Sequence, residues 1–257
     1  MNVFVPAPYL ERVTRLALGF EPLDAVLGGR LAHPVRMEVE GALPRVKIDR
    51  HDSCLHVLLY QPSLADEAVV RIRTRDLMYA PRRLRIPLLT VEEAETRPYT
   101  HRVRRPVLFP GAAYDATGGS TGLRGRVMRD GSPMRWARVE ARLPGGGPLI
   151  GRAHGDARGE FLLLLASPPA PAPELTDPFD VQVAVFGPAD APEPGTPDLP
   201  SRDDLWDLPV ETLAAPGDPD PTAAGETLPD DYVEGPSRVV PFRLGRVLSG
   251  VDDFEFV

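Results

Sequence analysis

Residues 123–141, Leu-Arg-Gly-Arg-Val-Met-Arg-Asp-Gly-Ser-Pro-Met-Arg-Trp-Ala-Arg-Val-Glu-Ala, read as strand, tight turn, strand. Leu123 to Met128 is the first strand. Arg129-Asp130-Gly131-Ser132-Pro133 is a turn, because glycine takes positive φ without steric cost and Asp-Gly followed by proline closes a tight reversal. Ala137-Arg138-Val139-Glu140-Ala141 alternates apolar and polar residues, the two-residue period of a second strand. Downstream, Gly145-Gly146-Gly147 reads as a loop, Glu160 to Leu165 as a buried strand, and Val181 to Val185 and Val239 to Leu244 as the strands that complete the set.

The same order stands upstream. Val35-Arg36-Met37-Glu38-Val39 lies over Ala137-Arg138-Val139-Glu140-Ala141 at an offset of 102 residues, and Leu55 to Tyr60 lies over Phe161 to Ala166. Val69 to Arg73 and Leu84 to Leu88 follow as further strands, separated by turn clusters such as Ser63 to Glu67. Arg83 to Leu88 matches Arg238 to Leu244 when an acidic stretch before the last strand is treated as an insertion. The pattern implies an all-β chain built as a tandem duplication of one β-sandwich unit. Residues 1–106 are expected to form the first sandwich with an N-terminal arm, 107–122 a linker, 123–248 the second sandwich, and 249–257 a tail.

Composition supports this division. The chain has 257 residues, of which 31 are proline and 23 glycine, too many breakers for a helical bundle or for the covering helices of a doubly wound α/β fold. A single cysteine, Cys54, forbids an internal disulfide. No run of 18 apolar residues exists, and Met1 to Thr14 lacks the apolar core of a signal peptide, so membrane insertion is not expected. The expected location is cytoplasmic, within a particle that lysis releases. Residues 188–236 hold 13 Asp or Glu, one Arg and 11 Pro, which reads as a solvated acidic loop inserted in the second unit. With a net charge of −8, nucleic acid is not an expected partner.

The second half resembles the carboxypeptidase regulatory-like domain family in Leu123-Arg124-Gly125-Arg126-Val127, Asp130-Gly131-Ser132-Pro133, Ala137-Arg138-Val139 and Gly155-Asp156-Ala157-Arg158-Gly159-Glu160-Phe161. The resemblance implies a transthyretin-like, Ig-like sandwich whose Gly159 and Phe161 shape a hairpin entering the core, with no active site of its own. Trp136 and Gly155 depart from the pattern, standing where the family has a small residue and a threonine. The tandem architecture and Leu205-Trp206-Asp207-Leu208-Pro209 are also similar to structural proteins encoded with phage-tail-like contractile injection systems.

The residues offer little chemistry. Cys54 and His56 share one strand face with His51 nearby, but two ligands are too few for a metal site, and Cys54 reads as a small core residue. Gly118-Gly119-Ser120-Thr121-Gly122 lacks the lysine of a phosphate loop and the elbow of a hydrolase, and reads as a linker. The carboxylates Asp203, Asp204, Asp207, Asp218, Asp220, Asp230 and Asp231 alternate with prolines without calcium-loop spacing. No catalytic constellation can be assembled, and no cofactor is expected.

What remains is binding. Leu205, Trp206 and Leu208 concentrate apolar groups within the acidic loop, as a strap for the chain's own sandwich or an anchor for another subunit. Arg102, Arg104 and Arg105 make a basic connector suited to an acidic neighbour, such as the loop of another copy. Phe254 and Phe256 in the tail suit a strand added to a neighbouring sheet. The expected function is a non-enzymatic structural component, most concretely an assembly, cap or terminus protein of a contractile particle whose partners are sheath, tube or tail-terminator proteins and copies of itself. An accessory polysaccharide- or cell-surface-binding module is the alternative.

Overall fold

The computed structural model describes residues 14–31, 33–41, 46–51, 55–116, 118–165 and 177–257, and the chain is nearly all β. The first unit runs through β1 (Leu16–Phe20), β2 (Leu23–Asp24), β3 (Arg36–Val39), β4 (Asp49–Arg50), β5 (His56–Leu59), β6 (Glu67–Arg73) and β7 (Arg82–Pro87). Helix α1 (Val91–Thr96), a 3₁₀ turn (Tyr99–Arg102), β8 (Val103–Arg104) and β9 (Val107–Leu108) follow. Helix α1 starts at a capping box, in which the Thr90 hydroxyl accepts the Glu93 amide and the Glu93 carboxylate accepts the Thr90 amide. In β6 every second residue, Ala68, Val70 and Ile72, is buried, facing Leu84 and Ile86 of β7. The other sheet, ordered β4-β5-β1-β8, sends Ala17, Leu18, Phe20 and Leu58 into the same core.

The second unit comprises β10 (Gly122–Arg129), β11 (Ser132–Pro133), β12 (Arg138–Arg142), β13 (Leu149–His154), β14 (Glu160–Leu165) and β15 (Phe179–Pro188). Beyond it come the four-residue α2 (Leu199–Arg202), β16 (Val210–Thr212), β17 (Tyr232–Phe242), β18 (Val247–Leu248) and β19 (Phe254–Glu255). The sheet order is β11-β10-β14-β13-β12-β15-β17, with β18 and β19 added parallel to β10. Asp130 (φ 51°) and Gly131 (φ 72°) both occupy the left-handed region, the type I′ geometry that closes β10 onto β11. Gly159 (φ 71°) closes the β13–β14 hairpin, where an added Cβ would lie 2.4 Å from the Val127 carbonyl oxygen, and Phe161 then enters the core.

The two units share an interior. Alternate residues of β14 point into different cores, Phe161 and Leu163 into the second and Leu162 and Leu164 into the first. A run of four leucines is what a strand buried on both faces requires.

Three boundary expectations change. Residues 107–122 are not simply a linker: β9 pairs with β2, and Leu108, Phe109 and Tyr114 are buried. The acidic segment leaves and re-enters the second sheet between β15 and β17, and residues 189–204 are mostly exposed, but it is not solvated throughout, since β16 pairs with β7 and Leu213 and Ala223 enter the first core. The tail does not extend to a neighbour: Phe254 and Phe256 are buried in the second core, and Phe254 pairs with Val127 of β10. Alternation of Phe and Glu made a strand, and its own β10 offered the edge.

Removing one of those rings leaves a cavity. Phe254→Ala is expected to lower the unfolding free energy by about 3 kcal/mol or more in urea titrations. A loss below about 0.5 kcal/mol would return the tail to solvent.

Candidate functional site

Strand alternation places Arg82 on the inward face of β7, in line with Leu84 and Ile86. Its side chain is 0% exposed, so all five N–H groups require acceptors. Nε and Nη2 donate to the two carboxylate oxygens of Glu211 at 3.1 and 2.6 Å. Nη1 donates to the carbonyls of Val107 and Ala223, and Nη2 also to that of Thr222. Glu211, the centre of β16, accepts a further bond from Arg138 of β12 at 3.1 Å. One carboxylate of the acidic segment thus joins β7 of the first unit to β12 of the second. Burial raises the proton affinity of Glu211, but Arg82 and Arg138 outweigh it and hold its carboxyl below the usual value. Beside this cluster, His154 stacks on Phe109 with ring centroids 4.0 Å apart. Burial first, then Arg138, Arg82 and Arg152, push its pKa well below that of a free histidine.

Upstream of Glu211 the strap is anchored by Trp136 rather than by Trp206. Trp136 has φ 61° and is 3% exposed, with Leu205 and Leu208 packed against it. Its indole Nε1 donates to Asp207 Oδ1 at 2.8 Å, and Arg135 donates to both oxygens of the same carboxylate. The departure of Trp136 from the resembled family pattern is the place where the strap docks. Trp206 itself is half-buried.

The connector arginines are also engaged within the chain. Arg104 is 6% exposed, donates to the Ala214 carbonyl and lies 3.8 Å from Asp220 of the chain's own acidic segment. Arg102 donates to the Leu16 carbonyl, and Arg105, still exposed, pairs with Glu21. Asp203 binds Arg71 at 2.6 Å. Among the sequence-predicted binding residues, Leu205, Leu208, Phe254, Phe256 and Arg104 are therefore interior groups. Glu211 and Trp136 carried no such expectation, while Arg82, which belongs to the basic stretch suited to an acidic neighbour, meets the chain's own acidic segment. Arginines at inward strand positions 82 and 138 were the available signal: β7 holds no carboxylate, and Glu140 on the strand of Arg138 is paired with Arg142 and Arg152 instead.

Between the units lies a cleft about 840 Å³ in volume, to which the acidic segment contributes Ala224 and Glu226. It is lined by Leu23, Val107 and Phe109 from the first unit, by Leu149, Ile150 and Leu164 from the second, and by Gly118 to Thr121 between them. That volume lies in the range of ligand sites, which favour the junctions of units. No group of three or more metal-binding side chains occurs among the described residues. Cys54 lies outside them, and His56 is held below its usual pKa mainly by burial. Among the described residues no helix is long and apolar enough to cross a membrane. The chain matches no protein-family model and no curated protein.

His154 gives a signed pH dependence. It stays neutral in the fold, whereas in the unfolded chain it titrates near 6.5, so below that pH only the unfolded state takes up the proton. Its contribution is complete above about pH 6.5 and declines as pH falls, with a slope approaching about 1.4 kcal/mol per pH unit. His56 adds to the same slope. Urea unfolding at pH 7, 6 and 5 should show the wild type losing about 2 kcal/mol more than His154→Gln by pH 5. Equal losses in the two proteins would mean that the buried ring protonates without penalty.

Proposed function

We propose that the protein is a non-enzymatic structural component that binds other proteins. The observation supporting this is a rigid pairing of two β units, locked by Arg82, Glu211 and Arg138, around a cleft with an exposed apolar rim. Buried ion clusters contribute less to net stability than to fixing one arrangement of the parts they join. A fixed arrangement suits a component that must present a surface in constant geometry.

The most concrete setting is an assembly or terminus protein of a phage-tail-like contractile particle, in line with the tandem architecture and the Leu205 to Pro209 segment. The alternative, a polysaccharide- or surface-binding module, relies on exposed aromatic platforms. Trp136 is buried beneath Leu205 and Leu208, which takes one of the two tryptophans from that reading. Tyr99, 70% exposed, remains available to it.

Affinity purification of the tagged full chain from its native cells tests the proposal. Recovery of sheath or inner-tube proteins encoded beside it, in fixed ratio, is the expected result. Retention on cell-wall polysaccharide, abolished by Tyr99→Ala and without any co-purifying subunit, would favour the alternative.

A further inference from the structure

We propose that the cleft between the two units docks an apolar segment of a partner polypeptide that carries carboxylates beside its apolar residues. This rests on reading the protein as a binding component and names the chemistry of its partner.

The rim is held rigid. Asp24, 1% exposed, accepts the amides of Val26 and Leu27 through Oδ1 at 2.7 and 2.9 Å. Through Oδ2 it accepts the hydroxyls of Tyr79 and Tyr114 at 2.7 and 2.9 Å. A buried carboxylate with four donors fixes this turn, yet the turn presents Val26 at 40% and Leu27 at 62% exposure. Apolar side chains already held in place lose little freedom when a partner covers them, so more of the contact energy reaches affinity.

The rim is also continuous with the interior. Val26 and Leu244, the latter 45% exposed, belong to the cleft walls that lead in to Phe109 and Ile150. A small ligand would fill the interior and leave the rim wet. A chain segment covers both, as an exposed apolar patch running into a concavity requires.

Charge selects the flanks of that segment. Arg243 and Arg246 are exposed on either side of Leu244 and have no ion-pair partner among the described residues. Their turn packs on the lining segment Gly118 to Thr121, where an added Cβ on Gly245 would lie 3.7 Å from Gly119. Arg152 lines the cleft itself, and its Nε lies 3.3 Å from Glu140. On the wall, Glu226 and Asp24, whose four donors are all neutral, offset that single cation, so the unpaired positive charge lies at the rim, on Arg243 and Arg246. Those two guanidiniums favour carboxylates on the flank of the incoming chain. Among the described residues, the acidic-apolar stretches of this chain at Leu205–Leu208 and Phe254–Phe256 are already seated elsewhere, and the occupant proposed is a segment of another protein.

Fluorescence anisotropy with the full chain and a labelled peptide, Glu-Asp-Phe-Leu-Ile-Glu-Asp, tests this. Saturable binding is expected, weakened at least about tenfold when lysines replace the acidic residues and in Val26→Asp combined with Leu244→Asp. Both substituted positions are exposed, and an unchanged urea midpoint verifies that the variant folds. Arg243→Glu with Arg246→Glu should remove most of the salt dependence. Absence of saturable binding would mean that the cleft is filled from within the chain. Equal binding of acidic and basic peptides, or indifference to the double variant at Val26 and Leu244, would equally overturn the inference. Saturable binding of dodecanoate without binding of the peptide would assign the cleft to a small amphiphile instead. Peptide binding with the expected selectivity, in a protein that recovers no subunit from its cells, would refute the assembly reading and leave the docking site standing.

Discussion

The guanidinium of Arg82 is the constraint from which the arrangement follows. It sits at 0% exposure on the core face of the first unit, with five donors that water cannot reach. Val107 supplies one acceptor, and the other four come from Glu211, Thr222 and Ala223 of the acidic segment. The segment must therefore cross the first unit twice over, once at β16 and again around Thr222, to satisfy a side chain more than a hundred residues earlier. Desolvating a cation and its partner offsets much of their attraction, so the cluster adds little net stability over a well-packed apolar replacement. Removing the carboxylate alone is different, because it strands two buried arginines, and such losses typically cost about 3–5 kcal/mol.

Because Glu211 also binds Arg138, the tie that orders the strap orders the second unit against the first. The β14 leucines make that junction apolar, and Trp136 clamps the strap from the other side through Leu205, Leu208 and Asp207. The cleft is what remains open in this junction, and the buried polar contacts of Asp24 hold the turn on one part of its rim. Rigidity and exposure at that turn are thus two consequences of one set of constraints.

The strands were readable where alternation is clean, as in Val35–Val39 and Val69–Arg73, because burial of alternate residues is a local demand that each strand meets by itself, whereas Ala137–Ala141 alternates in sequence yet is buried on both faces. Strand β13 escaped notice because Gly151, Arg152 and His154 interrupt its apolar pattern. The acidic segment was misjudged for a different reason. Its composition is that of a solvated chain, and nothing local to Val210-Glu211-Thr212 reveals that two arginines wait for it across the fold. Phe254-Glu255-Phe256 announced a strand but not whose edge it would join, since pairing partners are a property of the whole topology. The cleft has no signature in the sequence, being a gap between surfaces brought together by distant contacts.

Native-state hydrogen exchange in the wild type and in Glu211→Gln tests the role of this cluster most directly. The reporters are the amides of Val70 and Ile72 in the first unit and of Val139 and Val183 in the second, all buried on paired strands. In the wild type all four should exchange through one opening of equal free energy, as a single cooperative unit. In Glu211→Gln the two pairs should separate by at least about 1 kcal/mol as the units open independently. Two distinct opening energies in the wild type, or a common one retained in the variant, would contradict the claim that one buried carboxylate holds the two halves together.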